Sequence, residues 1–276
     1  LEAGRDTPPG REPADVLDTY PGSYYNPAYF WPDLKVHWRL ASNSPLSGYS
    51  QGRIMGGGSS VMGMVALRGT PDDYDEWQSL GAAGWAWSDV LPFFKKLEND
   101  FDFDGEMHGK GGPVPVRRIS PEQWPPLSKA MQGFADERQY PYVADMNADF
   151  RDGYANVPIS NWPNKRASSA ICYLDAAVRA RKNLTIITGA TATEIKFDGR
   201  RAVGVTAIVD GETKELSGRE LIISLGGIHS SAMLMRNGIG PSAHLREHNI
   251  MVRGDLPGVG ANLSNHSLLF IGFHLK

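Results

Sequence analysis

Five consecutive small residues, Gly56-Gly57-Gly58-Ser59-Ser60, stand directly before the apolar run Val61-Met62-Gly63-Met64-Val65-Ala66-Leu67. Positions without side chains let the backbone touch a ligand, and a helix opening there aims N–H groups and partial positive charge at it. The pattern predicts a glycine loop leading into a helix, with Ser59 or Ser60 near the N-cap. A phosphate or the electron-rich edge of a flavin ring would suit such a loop, and so would no ligand at all, as a plain flexible connection. It is not a P-loop, because no Gly-Lys-Ser/Thr follows. Gly258-Val259-Gly260-Ala261-Asn262-Leu263 begins like a dinucleotide fingerprint. It fails as one, since Leu263 stands where the third glycine belongs and no acidic residue follows about 20 positions on.

Other reactive side chains form no motif. The seven histidines, His37, His108, His229, His244, His248, His266 and His274, show neither His-Glu-x-x-His nor any metal-ligand spacing. His244 and His248 lie four apart and read as a solvated helix face. Without a Gly-x-Ser-x-Gly elbow, a serine hydrolase is poorly supported. The single cysteine, Cys172, excludes an intrachain disulfide framework and a Cys-rich zinc site, and falls on the apolar side of a helix, where it packs. Trp77, Trp85 and Trp87 read as packing between helices. No catalytic or metal-ligating residue is assigned.

The chain has 276 residues, room for one large domain or two smaller ones at about 150 residues each. Its 41% hydrophobic and 21% charged residues fit a folded chain. With 28 basic against 31 acidic residues the net charge is −3, which gives no drive toward nucleic acid or anionic lipid. No apolar run approaches the roughly 18 residues of a membrane span. A cytoplasmic location is expected, with the true N-terminus lying outside this sequence.

Residues 5–50 are dominated by turn chemistry and are expected as a long functional or covering loop. Helices are expected over Asp72–Leu80, Ser88–Glu98, Pro126–Arg138, Ser168–Lys182 and His229–Arg236, with loop over 100–125. The period then changes to two. Leu184–Thr188, Thr191–Phe197, Ala202–Val209 and Thr213–Leu216 read as strands, and Asp198-Gly199 and Asp210-Gly211 as hairpin turns of an antiparallel meander. Leu221–Leu225 reads as a strand buried on both faces, followed by Gly226-Gly227 and a helix, as an open α/β sheet presents a ligand site. Leu268–Lys276 reads as an apolar strand without a partner. With no initiator Met at Leu1, the chain is expected to be an interior piece of a longer protein.

Together these segments resemble the glucose-methanol-choline (GMC) oxidoreductases, FAD-dependent enzymes acting mostly on alcohols. Leu1-Glu2-Ala3-Gly4 resembles the end of the family's second strand, and Gly52 through Arg68-Gly69 with Tyr74-Asp75-Glu76-Trp77 its first signature. Gly84-Trp85-Ala86-Trp87-Ser88-Asp89, His108-Gly109-Lys110-Gly111-Gly112-Pro113 and Arg166-Ala167-Ser168-Ser169-Ala170 are family-like as well. Gly226-Gly227-Ile228-His229-Ser230-Ser231 through Gly240 resembles the second signature, and Leu256-Pro257-Gly258-Val259-Gly260-Ala261-Asn262-Leu263 with His266 closes the series. The match runs in family order over nearly the whole chain.

The resemblance implies an α/β fold: an incomplete Rossmann-like FAD-binding domain (about 1–110 and 166–266) with part of an α+β substrate domain or cap containing antiparallel strands (about 111–165 and 267–276). It implies non-covalent FAD, a small alcohol as partner and hydride transfer to flavin N5. The family's Gly-x-Gly-x-x-Gly loop is expected before Leu1 and its catalytic histidine beyond Lys276, so this stretch alone is expected to bind FAD weakly and to be inactive. Glu2 matches the acid that holds the adenosine ribose, and Arg53, Gly57, Gly58, Ser59, Ser60 and Met62 the loop beside pyrophosphate and flavin. Ala192 matches the backbone contact to adenine, and Ser224, Gly226 and Gly227 line the strand end near the cofactor. There are departures: Met62 replaces a usual Asn, which removes a polar partner and lowers the expected flavin potential. Val61 stands where some members carry a flavin-linking His, and His229 and Ser231 replace Asn and Pro. Hydroxynitrile lyases and an inactive FAD-binding homologue are the alternatives within the resemblance.

Overall fold

In the computed structural model, which describes residues 1–266, Glu2–Thr188 forms one compact unit and Leu1 with the residues from Gly189 onward another. In the first unit the opening strip runs beside residues 53–55. Arg5 bridges Ile54 in parallel, and the Met55 N–H donates to Arg5 O at 3.0 Å. Gly4 permits this approach, because a Cβ there would stand 2.1 Å from Arg53 O. Beneath lies a core of Val16, Tyr29, Ile54 and Val61, with Phe30 and Met62 packed on it. The expected long loop over 5–50 contains short elements, the helix Ala14–Leu17 and an antiparallel pair, Lys35–His37 with Leu46–Gly48.

Helices form at Pro71–Ser79, Trp87–Leu97 and Pro126–Glu137, close to the expected bounds. The first is opened by Asp73, whose carboxylate accepts from the Thr70 N–H and hydroxyl at 2.7 and 2.9 Å. The stretch expected as loop over 100–125 takes part in a parallel pair, Glu98–Asp100 with Val114–Val116. Ser168–Lys182 is two short helices, Ser169–Tyr173 and Ala176–Arg179. Each has its own side-chain cap, Ser168 on Ile171 and Asp175 on Val178, and the second cap is what splits the run. Leu184–Thr188 joins no ladder among the described residues; its contact with the opening strip is the Glu2 N–H donating to Ile187 O at 2.9 Å.

The second unit carries the meander as expected: Ala190–Asp198, Arg201–Val209 and Glu212–Ser217 pair antiparallel in chain order. Asp210 and Gly211 have φ of 52° and 84°, the two left-handed residues of a type I′ turn. The first hairpin instead turns at Gly199-Arg200, since Asp198 pairs with Arg201. Leu221–Leu225 departs from expectation. It is in no strand ladder among the described residues, and burial alternates along it, with Ile222 82% exposed. A strand is made by its neighbours, and an apolar run alone does not form a ladder. The helix that follows, Gly227–Arg236, is present, with Gly226 at φ 86° before it. Asn237 joins helix to meander by accepting from the Ile195 N–H at 2.9 Å and donating to Met233 O at 2.8 Å. The expectations for 267–276, an apolar strand and a cap element, lie outside the described residues.

Candidate cofactor cradle

Gly56–Met62 folds into one tight turn of helix, Gly58–Val61, rather than the longer helix expected. Met62 is extended at its end and Met64 is left-handed at φ 63°, so the apolar run cannot continue as helix. Gly57, not a serine, occupies the N-cap, with φ 54° and ψ −135°, a conformation for glycine. The serines close the turn from within. Ser60 is buried and donates through Oγ to Met55 O at 2.7 Å. Ser59 Oγ donates to Gly56 O at 2.6 Å and accepts from the Ser169 N–H at 2.9 Å.

The two sides of this turn differ. Below, Arg166 donates to Met62 O at 2.6 Å and to Ser59 O at 3.2 Å, and Ser23 Oγ donates to Ser60 O at 3.2 Å. Above, Gly58 and Ser59 are exposed, and their N–H groups donate to no protein acceptor among the described residues. The Ser60 N–H is taken by Gly57 O. A Cβ on Gly57 would meet nothing within 4 Å, and one on Gly58 only Met62 Cγ at 3.7 Å. The surface is therefore bare backbone with two free donors.

Beside it, the Glu2 carboxylate accepts from the Gly4 N–H at 2.7 Å. Burial raises its pKa above 4.5 against the pull of that bond and of Arg53. Arg53 packs over Trp31 at 5.0 Å, and its Nε is buried without an acceptor. Met62 is half-buried against the core, and Val61 is wholly inside it. These residues fit a group that brings hydroxyls to Glu2 and acceptors to the open backbone. Ala192, in the meander strand paired with Ala207, Ser224 and Gly226, exposed before the helix, and Gly227, exposed at its first position, belong to the second unit.

The structure also assembles a polar cluster that sequence spacing did not reveal. His108 Nε2 lies 2.6 Å from Asp145 Oδ2, and Nδ1 lies 3.3 Å from Glu98 and 3.2 Å from Asp100. Arg118 donates to both oxygens of Asp100 at 2.8 and 2.7 Å and to Asp145 at 2.9 Å, while Arg68 pairs with Glu98. Burial works to raise the Asp100 pKa, but Arg118 and the N–H groups of Phe103 and Asp102 outweigh it and hold it below 3.8. Ligand atoms of Glu98, Asp100 and His108 come within 4.8 Å of one another, as a cation site would require. The two guanidiniums already occupy those carboxylates, so the cluster is an ion-paired lock between the parallel pair and the 145–147 turn.

His244 and His248 stack edge-on at 4.7 Å on an exposed surface, as expected. Burial pushes the Cys172 thiol up to about 11, the value of a packed, unreactive cysteine. Trp77 and Trp85 line an aromatic hollow with Tyr74, Phe93 and Phe94, and each is about half exposed.

A bare glycine turn and a half-buried acid on an α/β scaffold suit a nucleotide cofactor, and comparison with known proteins gives the chain a family. Residues 38–268 match the GMC oxidoreductase family, and the chain belongs to it. It is 40% identical over 275 residues to 5-(hydroxymethyl)furfural oxidase of Methylovorus sp. (strain MP688), covering 97% of this chain and 52% of that protein. It is 37% identical over 222 residues to an oxygen-dependent choline dehydrogenase of Brucella anthropi, covering 80% of this chain and 40% of that protein. A solved FAD-dependent oxidoreductase from Chaetomium thermophilum superposes with a TM-score of 0.82 at 30% identity, over 93% of this chain and 46% of that one. The chain thus spans about half the length of the curated relatives it matches. Among the described residues, no helix is long and apolar enough to cross a membrane.

Proposed function

We propose that the whole protein oxidises the CH–OH group of a small alcohol with non-covalently bound FAD, and that this chain supplies much of the FAD cradle. The observation that carries the reading is the turn at Gly57–Ser60, whose bare upper face offers the Gly58 and Ser59 N–H groups. Bound FAD supplies the redox chemistry, taking the alcohol's C–H hydrogen with two electrons at N5. Glu2 accepts the ribose hydroxyls, which compensates the burial that now disfavours its ionised form. Arg53, whose Nε is buried without an acceptor among the described residues, would help hold the pyrophosphate. Gly58 and Ser59 aim preorganised donors at the flavin. Val61, inside the core, offers no covalent link to it. Ala192, Ser224, Gly226 and Gly227, in the second unit, match family positions for adenine and strand-end contacts.

No proton acceptor is assigned to this chain. His108 is enclosed by carboxylates, and His244 and His248 lie on an open helix face. A histidine in the half of the protein that the chain does not span takes the hydroxyl proton, work suited to a near-neutral pKa. The substrate class rests on the family and on relatives named for a hydroxymethyl compound and for choline, both primary alcohols. Anaerobic mixing of the full-length, FAD-loaded protein with a panel of primary alcohols tests it. Bleaching of the flavin's visible band by at least one alcohol is expected. No bleaching, with cleavage of a cyanohydrin instead, would replace oxidation by a lyase reading.

A further inference from the structure

Arg166 is the largest side chain in the molecule with no exposed surface among the described residues. Its Nη1 donates to the carbonyls of Met62 and Ser59, and its Nη2 reaches Ser23 Oγ at 3.5 Å. No carboxylate pairs with it among the described residues; Asp18 acts on it only through its field. Among the described residues its Nε is buried without an acceptor, and burial lowers its pKa. Burying a cation without a counter-ion costs several kcal/mol. Holding two carbonyls does not require that cost, since a neutral amide donor would serve. The turn it holds is four residues long, too short to present much of a macrodipole. The positive field under the turn therefore comes from the guanidinium.

We propose that Arg166 is a positioning residue for the FAD cradle. It fixes the turn through the Ser59 and Met62 carbonyls, and its unpaired charge favours the two-electron-reduced over the oxidised cofactor. This rests on reading Gly57–Ser60 as the flavin cradle.

Full-length protein carrying Arg166→Met or Arg166→Lys is loaded with FAD, and the midpoint potential and FAD Kd are measured. The Met variant is expected to lose tenfold or more of its preference for reduced over oxidised FAD, a downward shift of about 30 mV for a two-electron couple. The Lys variant keeps the charge and so the potential, but binds FAD more weakly, because an ammonium lacks the guanidinium's fork. FAD lost from a folded Met variant and kept by the Lys variant also supports the role of charge. An unchanged potential in the Met variant, or FAD lost from both folded variants, overturns it. Should the Met variant not fold, Arg166→Gln is judged by the same criterion; failure of all three to fold shows a role in folding alone and overturns it too. Gly58→Ala, measured in parallel, separates the two claims. If it weakens FAD binding while the Arg166 variants behave as wild type, only the role of Arg166 fails. If it leaves FAD binding unchanged, the cradle reading fails.

Discussion

Arg118 and Arg166 are both buried, and each ties together segments distant in sequence. Arg118 is surrounded by the carboxylates of Asp100 and Asp145, with Glu98, His108 and Arg68 completing a paired network. Arg166 donates to two carbonyls and a hydroxyl and keeps its charge unpaired. The carboxyl groups of the two regions shift oppositely. Asp100 in the lock is held below its ordinary pKa despite burial, and Glu2 beside the cradle is pushed above its own by burial. A paired network serves stability, whereas a cation without a counter-ion among the described residues and an acid raised by burial fit the proposed binding of a ligand nearby.

The largest expected effect is on the lock. Arg118→Met leaves Asp100 and Asp145 buried without their cation and should cost about 3–5 kcal/mol by denaturant unfolding. Arg166→Met also removes the cost of an unpaired charge and should lose less than half as much. Equal losses would erase the distinction, as would a flavin potential that moves in the Arg118 variant. Next, Gly109→Ala would place a Cβ 1.8 Å from Lys95 O, against backbone that has no room to yield. It should cost about 1–3 kcal/mol or more, read by thermal melting.

The pH dependence is smaller and has two signs. Asp100's folded pKa lies below 3.8, so its contribution is present above that pH and is lost as pH falls through the folded value. Arg118→Met removes the cause, so the variant's denaturant midpoint should fall less steeply between pH 4 and pH 2 than that of the wild type. Glu2 has a folded pKa above 4.5, so its burial penalty is absent at lower pH and complete once pH has risen through the folded value. Glu2→Gln should therefore raise the melting temperature of the FAD-free protein at pH 7, with the gain vanishing near pH 4, while weakening FAD binding. A gain that persists at pH 4 would mean that ionisation of Glu2 is not its source.

What the sequence made legible was local. The meander follows from period-two runs and the Asp210-Gly211 turn, and the glycine turn from its run of side-chain-free residues. The length of the helix after that turn was misread because apolar residues 61–67 suggest continuation, while the backbone turns extended at Met62 directly after Val61. Leu221–Leu225 was misread because an apolar run does not reveal whether a neighbour pairs with it. The lock was illegible: Glu98, Asp100, His108, Arg118 and Asp145 share no spacing, and only the folded chain brings them within bonding distance. Arg166 lies inside a family-like segment, yet nothing in its neighbours shows that its charge is buried unpaired.

The most direct test of the cradle is Gly58→Ala in the full-length protein, with FAD Kd and the melting temperature of the FAD-free form measured side by side. The added Cβ meets only Met62 Cγ at 3.7 Å, an ordinary contact, and alanine is the better helix former by about 1 kcal/mol. The fold should therefore be unharmed or slightly more stable. If FAD approaches this open face as proposed, the same methyl group stands in its way, and FAD Kd should rise tenfold or more. An unchanged Kd at unchanged stability would contradict the cradle.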